Sequence, residues 1–153
     1  MDFRRLDRGE LIAAVGGILL GISLFLSWYS LGNANAILNV CRGPHVSCTA
    51  WDALKYLRFL LLLAALAPAI LAYIIIRGHA LSWPRGELTA VTAIAALTFI
   101  LFRGVIDRPG QPPGEIHIGF GWFVALAGGL LILVGSIWRA RESSSVRKPP
   151  GVL

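Results

Sequence analysis

Four long stretches that contain no Asp, Glu, Lys or Arg constrain this chain more than any other feature. They cover residues 11–41, 59–76, 88–102 and 116–138. About 20 residues of apolar helix, each rising about 1.5 Å, cross the roughly 30 Å hydrocarbon core of a bilayer. Only 14% of the 153 residues are charged, whereas soluble domains carry about 25%. The sequence therefore predicts an integral membrane protein and argues against a soluble enzyme.

Backbone polar groups have no water to bond in lipid, so spanning segments of this length fold as helices. We predict an all-α fold in which residues 1–142 form a four-helix transmembrane bundle. The expected spans are residues 10–31, 55–76, 87–106 and 116–138. Residues 143–153 are expected to form a flexible basic cytoplasmic tail.

The Lys and Arg residues indicate the orientation, because they are enriched on the cytoplasmic side of membrane proteins. Nine of the 14 lie before the first expected span, between the second and third, or after the fourth. This distribution predicts a multi-pass protein of the plasma membrane with both termini cytoplasmic. The net charge of +6 then serves contacts with membrane lipids. Nucleic acid is not an expected partner, since the tail lacks interleaved aromatic residues and a known binding fold.

The N-terminus also permits a second interpretation, a cleaved signal peptide. Residues 1–8 are basic, an apolar run follows, and residues 34–36 have the small-x-small form of a cleavage site. The apolar run of about 20 residues exceeds the usual 7 to 15 of a signal peptide, which favours a retained span. N-terminal sequencing would distinguish the two.

Cys41 and Cys48 both fall in the first segment predicted to lie outside the cell, where disulfides form. Gly43 and Pro44 lie between them and allow the chain to turn. We therefore predict a disulfide that closes a short outer loop. His45 is the one further ligand nearby, too few for a metal site with four ligands, and no CxxC pair indicates a thiol–disulfide oxidoreductase.

Small residues recur every fourth position in the first and fourth spans. Such seams let neighbouring helix backbones approach closely in a membrane. Packing within one bundle is the favoured explanation, and self-association through an outward seam is the alternative. The predicted helix-packing residues are Ala13, Gly17, Gly21, Gly121, Ala125 and Gly129.

Catalytic signals are missing from the sequence. None of the eight carboxylates lies in the middle of an expected span, although proton-coupled transport usually needs an ionisable group at depth. No nucleophile motif and no phosphate-binding glycine loop occurs. We expect a protein that is not an enzyme and that needs no cofactor or metal.

A small set of polar residues on the outer side is the best candidate for a site. Arg103 and Asp107 are four residues apart and can pair on one helix face. Asp52 has two possible roles, as a second partner of Arg103 or as the cap of the helix that follows Thr49. The expected outer polar cluster is Trp51, Asp52, Arg103 and Asp107.

Four short motifs resemble those of a family of four-span membrane proteins from actinobacteria. They are FLSWY at 25–29, TAWDAL at 49–54, RGVIDRPG at 103–110 and GFGWFVAL at 119–126, which is followed by a Gly pair. The resemblance covers about residues 10–141 and implies the architecture. The family has no established activity, so the resemblance implies no reaction.

A weaker likeness is to claudin-type tetraspans, which share four helices and a cysteine pair in the first outer loop. Here no GLW triplet precedes Cys41, and the outer loop of about 25 residues is shorter than the five-stranded sheet of that group requires. Junction formation is therefore not expected of this chain.

These features together predict a small structural or accessory membrane protein that binds itself or a membrane-protein partner. The alternative is a transporter or channel-like subunit for a small solute. In that case Pro68, near the middle of the second span, would act as a hinge. Arg103 and Asp107 would form its outer site.

Overall fold

The structure of the protein is a computed structural model, which describes residues 8–33, 35–77, 87–112 and 114–145. Helices dominate this part of the chain. Residues 143–145 continue the last helix, and the rest of the predicted tail lies outside the described residues. The helices are α1 Arg8–Ser23, α2 Ala50–Ala53, α3 Leu57–Ile76, α4 Glu87–Leu101, which continues as a π-helical turn over Phe102–Ile106, and α5 Phe120–Ser145.

Three helices of the described chain are long and apolar enough to cross a membrane. They are Leu57–Ile74, Glu87–Ile106 and Phe120–Arg141, and they overlap the second, third and fourth predicted spans. Side chains on the outside of the helices are largely apolar. In α1, for example, Leu11 and Ile18 are 59% and 63% exposed. Apolar surface of this extent fits contact with lipid.

Helix α1 is shorter than the predicted first span of residues 10–31. It ends at Ser23, and the chain continues through three turn-like hydrogen bonds to Leu26. The Ser23 carbonyl accepts a hydrogen bond from the Trp28 indole Nε1 at 2.8 Å, and the Leu24 carbonyl accepts one from the Trp51 amide at 3.0 Å. The helix end is thus satisfied by groups that a continuous helix would not bring there.

The all-α prediction is wrong in one respect, because the outer segments form β-structure. A three-stranded antiparallel sheet has the order β4-β1-β5, and a two-stranded hairpin joins β2 and β3. β1 and β5 lie in residues predicted as the ends of the first and fourth spans, and β2, β3 and β4 lie in the predicted first outer loop. The strands of the described chain form sheets of three and two strands, not the five-stranded sheet of claudin-type tetraspans. The strands are β1 Ser27–Leu31, β2 Ile37–Leu38, β3 Cys41–Arg42, β4 Ser47–Thr49 and β5 Ile116–Ile118.

The sheet rests on the ends of the helices and shares their core. Ser30 pairs with Ser47 on one side and with His117 on the other. Trp28 and Tyr29 in β1 are fully buried, and the pairing of β1 with β4 shifts register between Ser27 and Tyr29. The sheet and the outer loops therefore form one cap on the bundle, called here the sheet end.

Helix α1 packs against α5 and α3, and α4 packs against the same two helices. Glycines set the α1–α5 distance. A methyl group added at Gly16 would lie 2.7 Å from the Gly128 carbonyl oxygen, and one added at Gly128 would lie 2.7 Å from the Leu20 amide nitrogen. Real Cβ atoms do not approach backbone this closely, so only glycine permits this contact.

Candidate functional site

The four residues of the predicted outer polar cluster lie in two separate pairs at the sheet end. Arg103 and Asp107 form an ion pair of 2.7 Å with partly exposed side chains. Trp51 and Asp52 belong to α2. Within the described chain, no hydrogen bond or ion pair joins one pair to the other.

The π-helical turn holds the Arg103–Asp107 pair in place. The Tyr29 hydroxyl donates a hydrogen bond to the Arg103 carbonyl at 3.0 Å, and Arg108 Nε donates to the Gly104 carbonyl at 3.0 Å. Burial raises the pKa of Tyr29 above its usual value, and the nearby Arg103 opposes this shift more weakly. Tyr29 is therefore a neutral hydrogen-bond donor that links β1 to the end of α4.

Asp52 takes part in the cap of α2, one of the two roles left open by the sequence. Thr49 is the N-cap residue, and its hydroxyl oxygen accepts a hydrogen bond from the Asp52 amide at 3.2 Å. The same hydroxyl donates to Asp52 Oδ2 at 2.8 Å. The carboxylate is thus engaged at the helix start, where the helix dipole favours a negative charge.

Trp51 contributes to a group of side chains that the sequence does not reveal. The group, called here the Arg58 cluster, consists of Phe25, Trp51, Arg58 and Phe59. The Arg58 guanidinium carbon lies 4.9 Å from the ring centroids of both Trp51 and Phe59, within cation–π range. The Phe25 ring stacks on the Trp51 ring, with 5.5 Å between the two ring centroids.

Only Trp51 of this cluster is singled out by the sequence. Six residues separate Trp51 from Arg58, and residues 54–56 form the connection between α2 and α3. Arg58 Nη1 donates to the Trp51 carbonyl at 3.1 Å. The one sequence signal for this cluster is a tryptophan and an arginine on either side of a short turn.

The Cys41 and Cys48 sulfur atoms lie 2.04 Å apart, at disulfide-bonding distance. Cys41 begins β3 and Cys48 lies in β4, so the pair connects the hairpin to the three-stranded sheet. Between them, Gly43 and His45 have positive φ angles of 111° and 57°, and the chain turns here as the sequence predicts. The hairpin is also bonded to the second outer segment, since Ile37 and Gln111 exchange two backbone hydrogen bonds.

The predicted small-residue seam of α1 divides between two neighbours. A methyl group added at Gly17 would lie 2.5 Å from the Ala65 carbonyl oxygen and 3.5 Å from Pro68 Cγ of α3, and one added at Gly21 would lie 3.9 Å from Ala65 Cβ. Ala13 instead faces α5, where a methyl group added at Gly135 would lie 2.7 Å from the Ala13 amide nitrogen. These contacts all lie within one chain.

The predicted residues of α5 also face inward, toward different neighbours. Gly121 lies against Trp28 and Leu26, and Ala125 is fully buried. Gly129 faces α4, where a methyl group would lie 2.8 Å from Leu97 Cδ2. Close backbone contacts between α1 and α5 fall on residues outside both predicted seams, namely Gly9, Gly16, Gly128 and Gly135, whereas the predicted Gly17 makes an equally close backbone contact with α3.

A buried ion pair lies at the opposite end of the bundle from the sheet. Glu10 Oε1 of α1 accepts a hydrogen bond from Arg139 Nη2 of α5, and the two residues are only 5% and 8% exposed. Glu10 Oε2 is buried without a partner in the described chain. The sequence places both residues at span ends but not together, because 128 residues lie between them.

Metal-ligating side chains do not gather in the part of the chain that the structure describes: no group of three or more His, Cys, Asp or Glu residues could hold an ion. The chain matches no family model, no curated protein sequence and no solved structure. The resemblance to four-span proteins of actinobacteria therefore stays a prediction.

Proposed function

We propose that this protein is a non-enzymatic structural or accessory protein of the plasma membrane. In this proposal four helices cross the bilayer with both termini cytoplasmic, and the cap at the sheet end faces outward. The cap binds a second copy of the chain or another membrane protein. The Cys41–Cys48 disulfide holds the binding surface in one shape.

One observation carries the proposal: two outer segments that are distant in sequence join in a single sheet. Ser30 lies between Ser47 and His117 in this sheet, and Trp28 and Tyr29 of its central strand are fully buried. Loops that only connect helices need no such structure. A cap built from both loops and bonded to the helix ends suits a fixed surface for protein contact.

The exposed tip of the cap supports the same proposal. The β2–β3 hairpin presents Ile37 and Val40, which are 46% and 68% exposed, beside the cysteine pair. Apolar side chains on a hairpin that is tied to its neighbours cost little conformational entropy when a partner covers them. We expect the partner contact to include this tip.

Helix α1 and the turn that follows it are long enough to form the remaining one of the four proposed spans. Its 16 residues extend about 24 Å, and the three-residue turn up to Leu26 adds about 6 Å at a 3₁₀ rise. The sum of about 30 Å matches the hydrocarbon core. The contacts of α1 with α3 and α5 place it beside two helices long enough to cross.

The solute-transporter alternative has less support from the contacts of Pro68. Pro68 lies inside the continuous helix α3 and packs at the α1–α3 contact, opposite Gly17. A proline ring seated against a glycine favours a fixed bend over a hinge. The exposed Arg103–Asp107 pair remains the feature on which a transport function would depend.

The test is purification of the full chain from its native membrane in membrane-derived nanodiscs. We expect a defined oligomer or one reproducible partner, which Val40→Ser weakens. The matched control is Val105→Ser, because Val105 is 63% exposed outside the hairpin. Monomeric protein without a partner, together with solute flux in liposomes that Arg103→Ala abolishes, would instead establish the transporter.

A further inference from the structure

We propose that the Arg58 cluster and the neighbouring Lys55 bind the headgroup phosphate of an anionic phospholipid in the leaflet at the sheet end. Arg58 lies in the first turn of the apolar segment Leu57–Ile74, which places its guanidinium at the boundary between hydrocarbon and headgroups. This inference depends on α3 crossing the bilayer. It does not depend on the partner binding proposed above.

The guanidinium of Arg58 is held in place but is short of acceptors. The flanking rings of Trp51 and Phe59 position its plane, with both centroids 4.9 Å away. Of its five N–H donors, one on Nη1 bonds to the neutral Trp51 carbonyl. Arg58 Nε is buried without a partner in the described chain. Since Nε is enclosed by the protein, the donors open to a headgroup phosphate are those of the terminal nitrogens, to which a phosphate supplies oxygen acceptors and a negative charge.

The site carries an excess of positive charge, which would attract an anion. Lys55 lies three residues before Arg58, and its ammonium contacts the Tyr56 ring at 5.5 Å rather than a carboxylate. The nearby carboxylate of Asp52 accepts from Thr49 and offsets one of the two positive charges, so one positive charge is left uncompensated. Both ion pairs recorded in the described chain lie elsewhere, at Arg103–Asp107 and Glu10–Arg139. An uncompensated positive charge next to a bilayer attracts an anionic headgroup.

The exposed rings around the cations select a lipid over free phosphate. Phe25, Tyr56 and Phe59 are 63%, 78% and 55% exposed. Aromatic rings at the headgroup level contact the glycerol and upper acyl region of lipids. Inorganic phosphate would leave these rings uncovered, whereas a phospholipid covers them and fills the guanidinium donors together.

The experiment uses the full chain in nanodiscs that contain equal amounts of phosphatidylglycerol and phosphatidylcholine. Native mass spectrometry after release counts the lipids that stay bound. We expect wild type to retain phosphatidylglycerol preferentially, and Arg58→Gln to lower its apparent affinity about tenfold, the effect of losing a charge-assisted hydrogen bond. Arg58→Lys, which keeps the positive charge but loses the planar stacking, should have an apparent affinity between those of wild type and Arg58→Gln.

Arg42→Gln is the matched control, because it removes one exposed cation from β3 at the same end; it should leave retention unchanged. If Arg58→Gln does not fold, exposed Lys55→Gln should still reduce retention several-fold. Equal retention of both lipids by wild type, or unchanged retention in both Arg58→Gln and Lys55→Gln, would overturn the proposal. Displacement of phosphatidylglycerol by millimolar inorganic phosphate would also overturn it, in favour of a free-phosphate site.

Discussion

The ion pair between Glu10 and Arg139 joins the two ends of the chain with side chains that are almost fully buried. Removing one member of a buried pair leaves an uncompensated charge, and this costs more than the pair contributes. The second Glu10 oxygen, which has no partner, adds to the desolvation cost. The pair therefore matters more for which helices meet than for total stability.

We predict that Glu10→Gln and Arg139→Gln each lower the free energy of unfolding by about 3 kcal/mol. The double substitution Glu10→Leu/Arg139→Met should lose clearly less than the two single changes together, because neither charge is left buried alone. Thermal unfolding of the purified chain in one detergent measures all four proteins. Additive losses would show that the two side chains do not act as a pair.

Tyr29 gives the sheet end a dependence on alkaline pH. Its raised pKa means that the folded state favours the neutral phenol, so its stabilisation is complete below the unfolded pKa of about 10. The stabilisation is lost as pH rises above that value. Between about pH 9 and 11, which brackets the unfolded pKa, we expect the melting temperature of wild type to fall more steeply than that of Tyr29→Phe.

The same substitution should lower stability at pH 8 by about 1 kcal/mol, since the hydrogen bond to the Arg103 carbonyl is lost. Other tyrosines and the cysteine pair are common to both proteins, so their alkaline effects cancel in the comparison. Parallel melting curves across this pH range would contradict the role given to Tyr29.

At the scale of elements, the contact between α1 and α5 depends on glycines that the four-residue spacing does not identify. Gly16 meets the Gly128 carbonyl, and Gly9 meets the Gly135 carbonyl, with room for hydrogen only. The order of these pairs shows that the two helices run antiparallel. Membrane helices gain most of their association energy from such close packing.

We predict that Gly16→Ala destabilises the protein by about 1–3 kcal/mol, because its methyl group would press on backbone atoms of α5. Gly21→Ala in the same helix is the matched control. Its methyl group makes ordinary contact at 3.9 Å, and alanine favours the helix more than glycine does. The melting temperature in detergent should therefore fall for Gly16→Ala alone. Equal falls would favour the seam that the sequence predicts.

At the scale of the whole molecule, the sheet end and the Glu10–Arg139 end lie at opposite ends of the helices. The proposed orientation puts the cysteine pair outside and Arg141, which is exposed near the other end, inside. Disulfides persist only on the oxidising side of the membrane. Orientation and cysteine chemistry can therefore be tested together.

We expect a membrane-impermeant maleimide to label Cys41, the more exposed of the two cysteines, in intact cells only after brief reduction. In a Cys41→Ser/Cys48→Ser background, Arg141→Cys should be labelled only after the cells are opened. Gel shift of the full chain measures both. Labelling of Arg141→Cys in intact cells, or of the native cysteines without reduction, would contradict the orientation or the disulfide.

Parts of this architecture follow from the sequence because they depend on the hydropathy, turn preference or charge of residues that are close together in the chain. The positions of three spanning helices, the turn between the cysteines and the Arg103–Asp107 pair belong to this class. The sheet does not, since β1 finds β5 about 90 residues away. The Arg58 cluster depends on where α2 ends and on the course of residues 54–56 toward α3, whereas the cap at Thr49 is one of the two roles that the sequence leaves open for Asp52.

The sequence by itself determined that this chain is suited to lipid, because the absence of charge over about 20 residues is a local property with a large transfer energy. Tertiary structure alone decided where α1 ends, which glycines touch, and that Glu10 meets Arg139. Each of these depends on a partner from a distant segment: the Trp28 indole at a helix end, a facing carbonyl, or an opposite charge. Backbone and charge satisfaction inside the fold, rather than hydropathy, selected these contacts.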